Sequence, residues 1–190
     1  MPVVTAEGLG LRTRRGWVFR DVDLAVQAGE LVALTGPARS GRTSLLLALA
    51  GRFRTNAGTR YLSGRAGIGF VPRINAPEPG LTAGEHLRER LLLLGRAAPD
   101  GRGALDGVPV DPGALGRDLT PYQRQRLMLR LATIGGAELV VADDVDLGLS
   151  TVEREELWRA LGDLTAQGYA VVVACREPAG DAIEYPMEGH

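Results

Sequence analysis

Short runs of apolar residues without polar alternation recur along the chain, at residues 31–34, 139–142 and 170–174. A strand that is apolar on both faces is typical of a parallel sheet covered by helices on each side. Helical patterns stand between these runs, the first from Thr43 until Gly51 ends it. This alternation of strand and helix predicts an α/β fold with a parallel central sheet.

The N-terminal segment has a different pattern. Residues 3–5 and 18–26 carry β-branched or aromatic side chains in partial alternation and are interrupted by glycines. Such segments predict short strands in an antiparallel β layer. Two more short strands are predicted at residues 61–62 and 68–71, and Pro72 ends the second.

Capping boxes begin two of the later predicted helices. Thr82 is followed by Glu85, and Ser150 by Glu153, the spacing at which the two residues cap each other's backbone N–H groups. Pro121, at a first-turn position, begins another helix that extends to about residue 134. Apolar side chains at helical spacing follow the two boxes: Leu87, Leu91 and Leu94 in one helix, and Leu157, Trp158, Leu161 and Leu164 in the other.

Two segments lack such patterns. Residues 97–118 are rich in Gly, Pro and Asp and are predicted to form a long connection. The tail at residues 178–190 has no periodicity and is expected to be loose. A chain of 190 residues fits one compact domain, so we expect a single domain over residues 1–190.

Composition excludes several classes of protein. The formal net charge of −1 provides no field that attracts nucleic acid or an anionic membrane, so we expect no nucleic-acid partner. Cys175 is the single cysteine, which excludes an internal disulfide. The sequence has no early apolar run of signal-peptide or membrane-spanning length. We therefore expect a cytoplasmic setting.

A glycine-bracketed loop follows the first apolar run. It fits the phosphate-loop spacing G-x-x-x-x-G-K-[ST], except that Arg42 stands where lysine is expected. Such a loop turns backbone N–H groups toward an anion, and the next helix adds the positive end of its dipole. The loop therefore predicts a nucleoside triphosphate site, with the Thr43 hydroxyl available to Mg²⁺. Its residues are Gly36, Pro37, Ala38, Arg39, Ser40, Gly41, Arg42, Thr43 and Ser44.

The second apolar run ends in two acids, Asp143 and Asp144. This is the position of the acid that organises Mg²⁺ in phosphate-loop proteins, so Asp143 is the predicted metal ligand beside Thr43. Each feature has an alternative interpretation. The loop could be a Gly/Ser-rich turn that only joins a strand to a helix, and Asp143 could be an N-cap or a solvated strand end.

With these landmarks in this order, the chain resembles the ATP-binding cassette (ABC) family from about residue 3 to residue 177. The family's first strands and phosphate-loop helix are matched by FRDVDL at 19–24, AGELVAL at 28–34 and LLLALAG at 45–51. Its Q-loop is matched by GFVPR at 69–73, and the start of its helical subdomain by LTAGEHL at 81–87. Its LSGGQ signature is matched by LTPYQRQR at 119–126, its Walker B strand by VVADD at 140–144 and its D-loop by LGLS at 147–150.

The resemblance implies a P-loop NTPase fold with a parallel central sheet, an N-terminal antiparallel β layer and a helical subdomain shortened to about residues 74–120. It implies an ATP-binding subunit of a transporter, binding ATP with Mg²⁺ and peripheral to the membrane through a separately encoded membrane protein. It also implies pairing, as a homodimer or with another cassette, because in this family two cassettes enclose ATP between them.

Several residues depart from the family pattern at positions that serve hydrolysis. Arg42 replaces the phosphate-loop lysine, Arg73 the Q-loop glutamine, Asp144 the glutamate that positions or deprotonates water, and Arg176 the switch histidine. Aspartate is one methylene shorter than glutamate, and arginine cannot accept a proton near neutral pH. We therefore expect ATP binding with weak hydrolysis.

The signature position is also altered. It carries Thr120, Pro121, Tyr122 and Gln123. In the family, backbone donors of this segment reach the γ-phosphate held by the other cassette. Pro121 has no N–H to donate, and Tyr122 adds bulk where glycine allows close approach. Two identical copies are therefore expected to form weak composite sites.

Other residues are less informative. Trp17 is the nearest aromatic candidate for stacking on adenine, whereas Thr13 fits the family spacing better, and ordinary packing of Trp17 is an equal alternative. His86 is expected on an exposed helix face, and Cys175 is expected to be a small buried residue.

Two other functions remain open at this point. The chain could be a non-catalytic regulatory module in which nucleotide occupancy controls association. It could also be a P-loop phosphotransferase, although the signature-like residues 123–126 argue against that class.

Overall fold

The computed structural model describes residues 1–95 and 105–189. The strands are β1 (Val4–Thr13), β2 (Gly16–Val26), β3 (Leu31–Thr35), β4 (Ala57–Leu62), β5 (Ala66–Ile68), β6 (Leu139–Ala142), β7 (Ala170–Ala174) and β8 (Ile183–Pro186). The helices are α1 (Arg42–Leu49), α2 (Ala83–Leu93), α3 (Pro121–Thr133) and α4 (Thr151–Ala166), with a 3-10 turn at Gly116–Asp118.

The central sheet has the strand order β5-β6-β7-β3-β8, and all of its neighbours pair in parallel. Every residue of β3, β6 and β7 is buried. Alternate residues serve two apolar clusters: Val32 packs with α1 and the N-terminal strands, whereas Ala33 packs with α3 and α4. The predicted α/β architecture with a doubly covered parallel sheet is confirmed.

The N-terminal strands form a separate antiparallel sheet in the order β2-β1-β4. The expectation that glycines break the first strand is wrong. Gly8 and Gly10 lie inside β1, where shifts in the pairing register mark bulges, and Gly8 has a φ of 54°. Glycine accepts this left-handed conformation without a steric penalty, so the strand bends and continues.

The predicted capping boxes at Thr82 and Ser150 are present. A third one begins α3, where the Thr120 hydroxyl accepts a hydrogen bond from the Gln123 N–H and the Gln123 side chain accepts one from Thr120. The apolar faces of α2 and α3 meet in a small cluster of their own that includes Leu87 and Leu127. No helix in the described chain is long and apolar enough to cross a membrane.

The expectation of a loose tail is wrong for residues 183–187 of that segment. Strand β8 pairs with β3 at the edge of the parallel sheet. The Met187 N–H then donates to the Thr35 carbonyl at 2.8 Å, and the Thr35 hydroxyl donates to Glu184 at 2.7 Å. The Met187 side chain is buried. Backbone pairing with a buried strand therefore holds a segment whose own side chains are mostly exposed.

His86 is also placed differently from its expectation, since it is only 7% exposed. Its Nε2 lies 3.3 Å from the Glu78 carbonyl, because the chain before α2 folds back across the first turn of that helix. Cys175 is fully buried, as expected, and desolvation raises the pKa of its thiol to about 12. The predicted connection at residues 97–118 lies partly outside the described residues. In the described part, Leu105 and Val110 are buried against α2 and α3.

Candidate phosphate-binding site

The loop between β3 and α1 has a glycine with positive φ at each of its two ends, a conformation that favours glycine. Gly36 has a φ of 137° and Gly41 a φ of 88°. A Cβ on Gly36 would lie 2.3 Å from the Met187 carbonyl oxygen, and one on Gly41 would lie 2.3 Å from the Val18 carbonyl oxygen. Both contacts are with backbone, which cannot swing aside. The loop is therefore clamped in one shape at the start of α1.

An orphaned hydroxyl lies inside this loop. Ser40 is 1% exposed, and its Oγ has no hydrogen-bond partner within the described chain. The Oγ packs against Gly36, 3.1 Å from where a Cβ would be. A cleft of about 290 Å³ opens here, lined by Val18 and by residues 39–44. A buried donor without a partner is costly unless a ligand satisfies it, so the loop fits a phosphate group.

The two predicted metal ligands are in direct contact. The Thr43 hydroxyl donates to Asp143 Oδ2 at 2.5 Å, across 100 residues of sequence. Asp143 follows β6 and is 3% exposed, and its other oxygen accepts the Asp144 N–H at 3.0 Å. The ends of β6 and of the phosphate loop therefore meet, as the sequence predicts.

Burial raises the pKa of Asp143, with nearby Asp144 acting in the same direction and the Thr43 hydrogen bond opposing both. Among the causes, the positive charge of Arg42 lowers this pKa least. Mg²⁺ prefers hard oxygen ligands and would add further positive charge beside the carboxylate. Asp143 and Thr43 therefore fit a magnesium ion next to bound phosphate.

Arg42 is tied to the neighbouring strand. Its Nη1 donates to the Cys175 carbonyl at the end of β7, at 2.5 Å, and the side chain is half-buried. A guanidinium can donate several hydrogen bonds from a planar fork, whereas a lysine ammonium acts as a compact point charge. In this structure Arg42 therefore links the helix start to β7, in addition to bringing a positive charge to the loop.

The turn that carries Asp144 depends on a residue that sequence reasoning missed. Asp144 has a φ of 46°, in the left-handed region. Gln125 is 3% exposed, and its Nε2 donates to the carbonyls of Asp143 at 3.0 Å and Asp144 at 3.3 Å. The signal was available in the sequence, because Gln125 stands between Tyr122 and Leu129 on the apolar stripe of α3, where a polar residue needs a partner.

Arg176 is exposed, and its guanidinium has no partner among the residues that the structure describes. Its backbone is held instead, since Asp146 Oδ2 accepts the N–H groups of Arg176 at 2.8 Å and Glu177 at 3.3 Å. Arg154 also forms an ion pair with Glu177 at 3.1 Å. Asp146 and Arg154 are thus further residues that sequence reasoning missed: Asp146 holds this loop to the segment after β6, and Arg154 holds it to α4.

Arg73 lies in a tight turn away from the loop. It has a φ of 66° and is exposed between Val71 and Asn75, which form an isolated bridge. The Asn75 side chain holds this turn by donating to the carbonyls of Ile68 at 2.9 Å and Gly69 at 2.7 Å. The structure thus brings Thr43, Asp143 and the loop together but does not bring Arg73 into contact with them.

The expectation that Tyr122 adds bulk at the signature position is wrong. Tyr122 is 7% exposed and belongs to the apolar cluster of α3 and α4, with its hydroxyl accepting from Arg126 at 2.7 Å. Its ring therefore does not add bulk to the outer surface. Pro121 is exposed at the first turn of α3, as predicted, and its missing N–H is the remaining departure at the surface.

Both candidates for the adenine-stacking position, Trp17 and Thr13, make other contacts in the structure. Trp17 lies against β1, where its ring would be 3.0 Å from a Cβ on Gly10, and the Arg12 guanidinium stacks 5.6 Å from its ring centroid. The Thr13 hydroxyl donates to the Gly16 carbonyl at 3.2 Å in the hairpin turn. These contacts of Trp17 fit the alternative in which its ring serves ordinary packing.

Comparison with known protein families gives a match over residues 19–146 to the model described as ABC transporter. The matched segment spans more than half of the chain. It begins in β2 and ends just after Asp143 and Asp144, so it contains both halves of the site.

Individual relatives and structures agree with this match. The zinc import ATP-binding protein ZnuC of Jannaschia sp. (strain CCS1) is 31% identical, over 93% of this chain and 74% of the relative. The Nod factor export ATP-binding protein I of Ralstonia nicotianae is 27% identical, over 90% of this chain and 59% of the relative. The dimeric structure of MJ0796, a bacterial ABC transporter cassette, has a TM-score of 0.83 at 19% identity and covers 97% of this chain and 94% of that one.

The substitution Gly41→Val tests the loop as the phosphate site. A side chain at this position collides with the Val18 carbonyl, so we expect binding of a fluorescent ATP analogue to be abolished. Gly168→Val is the matched control, because Gly168 has a similar φ of 93° but no atom within 4 Å of its Cβ position. Unchanged binding by the Gly41 variant, measured by fluorescence anisotropy, would overturn the assignment.

The substitution Gln125→Met tests the support of the Asp144 turn. It leaves two carbonyls without their donor, and we expect the free energy of unfolding in urea to fall by about 1–3 kcal/mol. Gln167→Met is the control, because Gln167 is exposed and bonds only within its own helix end, and a change under about 0.5 kcal/mol is expected there. Equal losses in the two variants would contradict the assigned role.

Proposed function

The chain belongs to the ABC transporter family, and from this membership we propose that it is an ATP-binding transporter subunit that binds ATP with Mg²⁺ and hydrolyses it slowly by itself. The observation that carries the proposal is the 2.5 Å contact between Thr43 and Asp143, which joins the phosphate loop to the acid at the end of β6. The orphaned Ser40 hydroxyl and the glycine-clamped loop support phosphate binding at the same place.

Each part of the site has a physical task in this proposal. The loop backbone and the start of α1 bind the phosphates, and the Thr43 and Asp143 oxygens hold the metal. Mg²⁺, when bound, neutralises charge on the phosphate chain. Arg42 adds positive charge while it remains bonded to the end of β7. ATP binding thus relies on groups that this chain retains.

Slow hydrolysis follows from the groups that would handle the attacking water. Asp144 is the acid nearest to the metal pair, but its shorter side chain gives a poorer reach than glutamate. Arginine at position 176 or 73 cannot accept a proton near neutral pH. Asp146 also holds the loop that carries Arg176 by accepting the Arg176 N–H, and this bond restricts movement of Arg176 toward the nucleotide.

A groove of about 790 Å³ between α2, α3 and the segment before α2 supports docking of a membrane partner. Ile74 and Leu93 line it while being 59% and 75% exposed, and His86 and Met128 lie deeper. Exposed apolar side chains at the rim of a groove are typical of a protein interaction site. We propose that a helix of a separately encoded membrane protein occupies it, which would place the chain at the cytoplasmic face of the membrane.

Pairing with a second cassette is proposed to favour a different partner over an identical copy. Pro121 cannot donate a backbone hydrogen bond to a nucleotide held by the other cassette. The Gln123 side chain is already engaged, since its oxygen accepts the Thr120 N–H and its Nε2 donates to the Pro109 carbonyl at 3.3 Å. A partner with an ordinary signature would supply donors that this chain lacks. By name, one relative acts in zinc import and another in Nod factor export.

A second candidate function is a regulatory module in which bound ATP controls association without turnover. The same substitutions at positions 42, 73, 144 and 176 favour it. The two functions differ in phosphate release in the presence of the membrane partner. A phosphotransferase is disfavoured by the family match and would be revived by phosphate transfer to a small acceptor.

The double variant Arg42→Lys with Asp144→Glu tests whether these side chains limit turnover. Restoring a point charge and a longer base is expected to raise phosphate release by about tenfold or more. Asp21→Glu is the control, since Asp21 is an exposed aspartate with a similar φ of 52° outside the site. A wild-type rate of phosphate release equal to that of ordinary ABC cassettes would contradict the slow-hydrolysis proposal. The absence of phosphate release by the double variant would favour the regulatory module.

The groove is tested by Leu93→Glu with Leu92→Glu as its matched control. Both leucines are exposed on α2, at 75% and 62%, but only Leu93 lines the groove. Leu93→Glu replaces an apolar contact of the groove with a carboxylate that docking would desolvate, so we expect it to reduce sedimentation with membranes of the native host, while Leu92→Glu behaves as wild type. Equal sedimentation of both variants would contradict docking at this groove.

A further inference from the structure

Arg39 adopts a backbone conformation that is unfavourable for its side chain. Its φ is 69°, in the left-handed region, within the loop that the site requires. Aspartate tolerates this region better because its short side chain can bond to nearby backbone, and both Asp21 and Asp144 have a positive φ. Arginine has no such local compensation. A strained residue at a ligand site persists only where the surroundings impose it, and such residues cluster where the strain serves binding.

The Arg39 side chain is free in the described structure. It is exposed and lines the cleft of about 290 Å³ together with Ser40 and Thr43. Across residues 1–95 and 105–189, its guanidinium forms neither a hydrogen bond nor an ion pair. Its planar fork is therefore available to an anion that enters the cleft, and this fork matches the geometry of phosphate oxygens.

The other cation of the cleft is already engaged. Arg42 donates to the Cys175 carbonyl and is half-buried, so moving it fully onto a phosphate would leave that carbonyl without this donor. Asp143, which contacts Thr43, and the adjacent Asp144 repel a polyanion until a metal is bound. A phosphate chain therefore gains most from a cation that has no competing partner, and Arg39 is that cation within the described cleft.

We propose that the Arg39 guanidinium binds the phosphate chain of the nucleotide and is a specificity-determining residue of this site. The proposal rests on the proposed ATP-binding function. Because a guanidinium gains more from a ligand with several charged phosphates, Arg39 favours nucleoside triphosphate and diphosphate over monophosphate. The left-handed backbone keeps the Arg39 side chain at the edge of the cleft. The free protein therefore holds a strained backbone at the residue that binds the phosphate chain.

Calorimetric titration of Arg39→Gly with Mg-ATP, Mg-ADP and AMP tests this assignment. Glycine relieves the backbone strain and removes the charge, so we expect an unchanged or higher melting temperature and ATP affinity about tenfold to a hundredfold lower. AMP affinity should change least. The loss should shrink in high salt, because salt screens the missing charge in the wild type.

Two further variants complete the experiment. Arg39→Lys keeps the charge without the fork and should recover part of the affinity, whereas Arg65→Gly removes an exposed arginine outside the cleft and should bind ATP as wild type does. ATP affinity of Arg39→Gly equal to that of the wild type would overturn the role of Arg39 and leave the ATP-binding function standing. A wild-type chain that binds no ATP would overturn both.

Discussion

The loop between β3 and α1 is held at both ends by backbone atoms from other strands. The Met187 carbonyl, just after β8, occupies the space beside Gly36, and the Val18 carbonyl, in β2, occupies the space beside Gly41. A backbone carbonyl in a paired strand cannot rotate away as a side chain can. The phosphate site therefore depends on the last strand of the parallel sheet and on the antiparallel sheet at the same time.

The remaining groups of the site arrive through the topology of the parallel sheet. The carboxyl ends of β3, β6 and β7 meet at one edge, which is where open α/β sheets bind ligands. Thr43 follows the loop from β3, Asp143 follows β6, and the Cys175 carbonyl at the end of β7 receives Arg42. The substitutions at positions 42, 144 and 176 change chemical groups near this edge but leave the fold in place. The proposed function therefore combines retained ATP binding with slow hydrolysis.

Much of this arrangement could be predicted from local sequence. Apolar runs predicted the buried strands, capping boxes predicted the helix starts, and the glycine spacing with Asp143 indicated the candidate site. What could not be predicted depends on distant partners. The segment at β8 has no apolar pattern because it is an edge strand held by backbone pairing to β3, Arg42 meets a carbonyl 133 residues away, and Tyr122 turns inward toward α4.

Calorimetric titration of the wild type and of Asp143→Asn with ATP, with and without Mg²⁺, tests nucleotide binding by the loop and metal binding by Asp143 in one experiment. We expect saturable heat for the wild type and tighter ATP binding when Mg²⁺ is present. Asp143→Asn is expected to keep ATP binding and to lose most of the Mg²⁺ dependence, since the proposed metal ligand is altered while the loop is intact. No heat and no thermal stabilisation of the wild type by ATP with Mg²⁺ would overturn the assignment of the site.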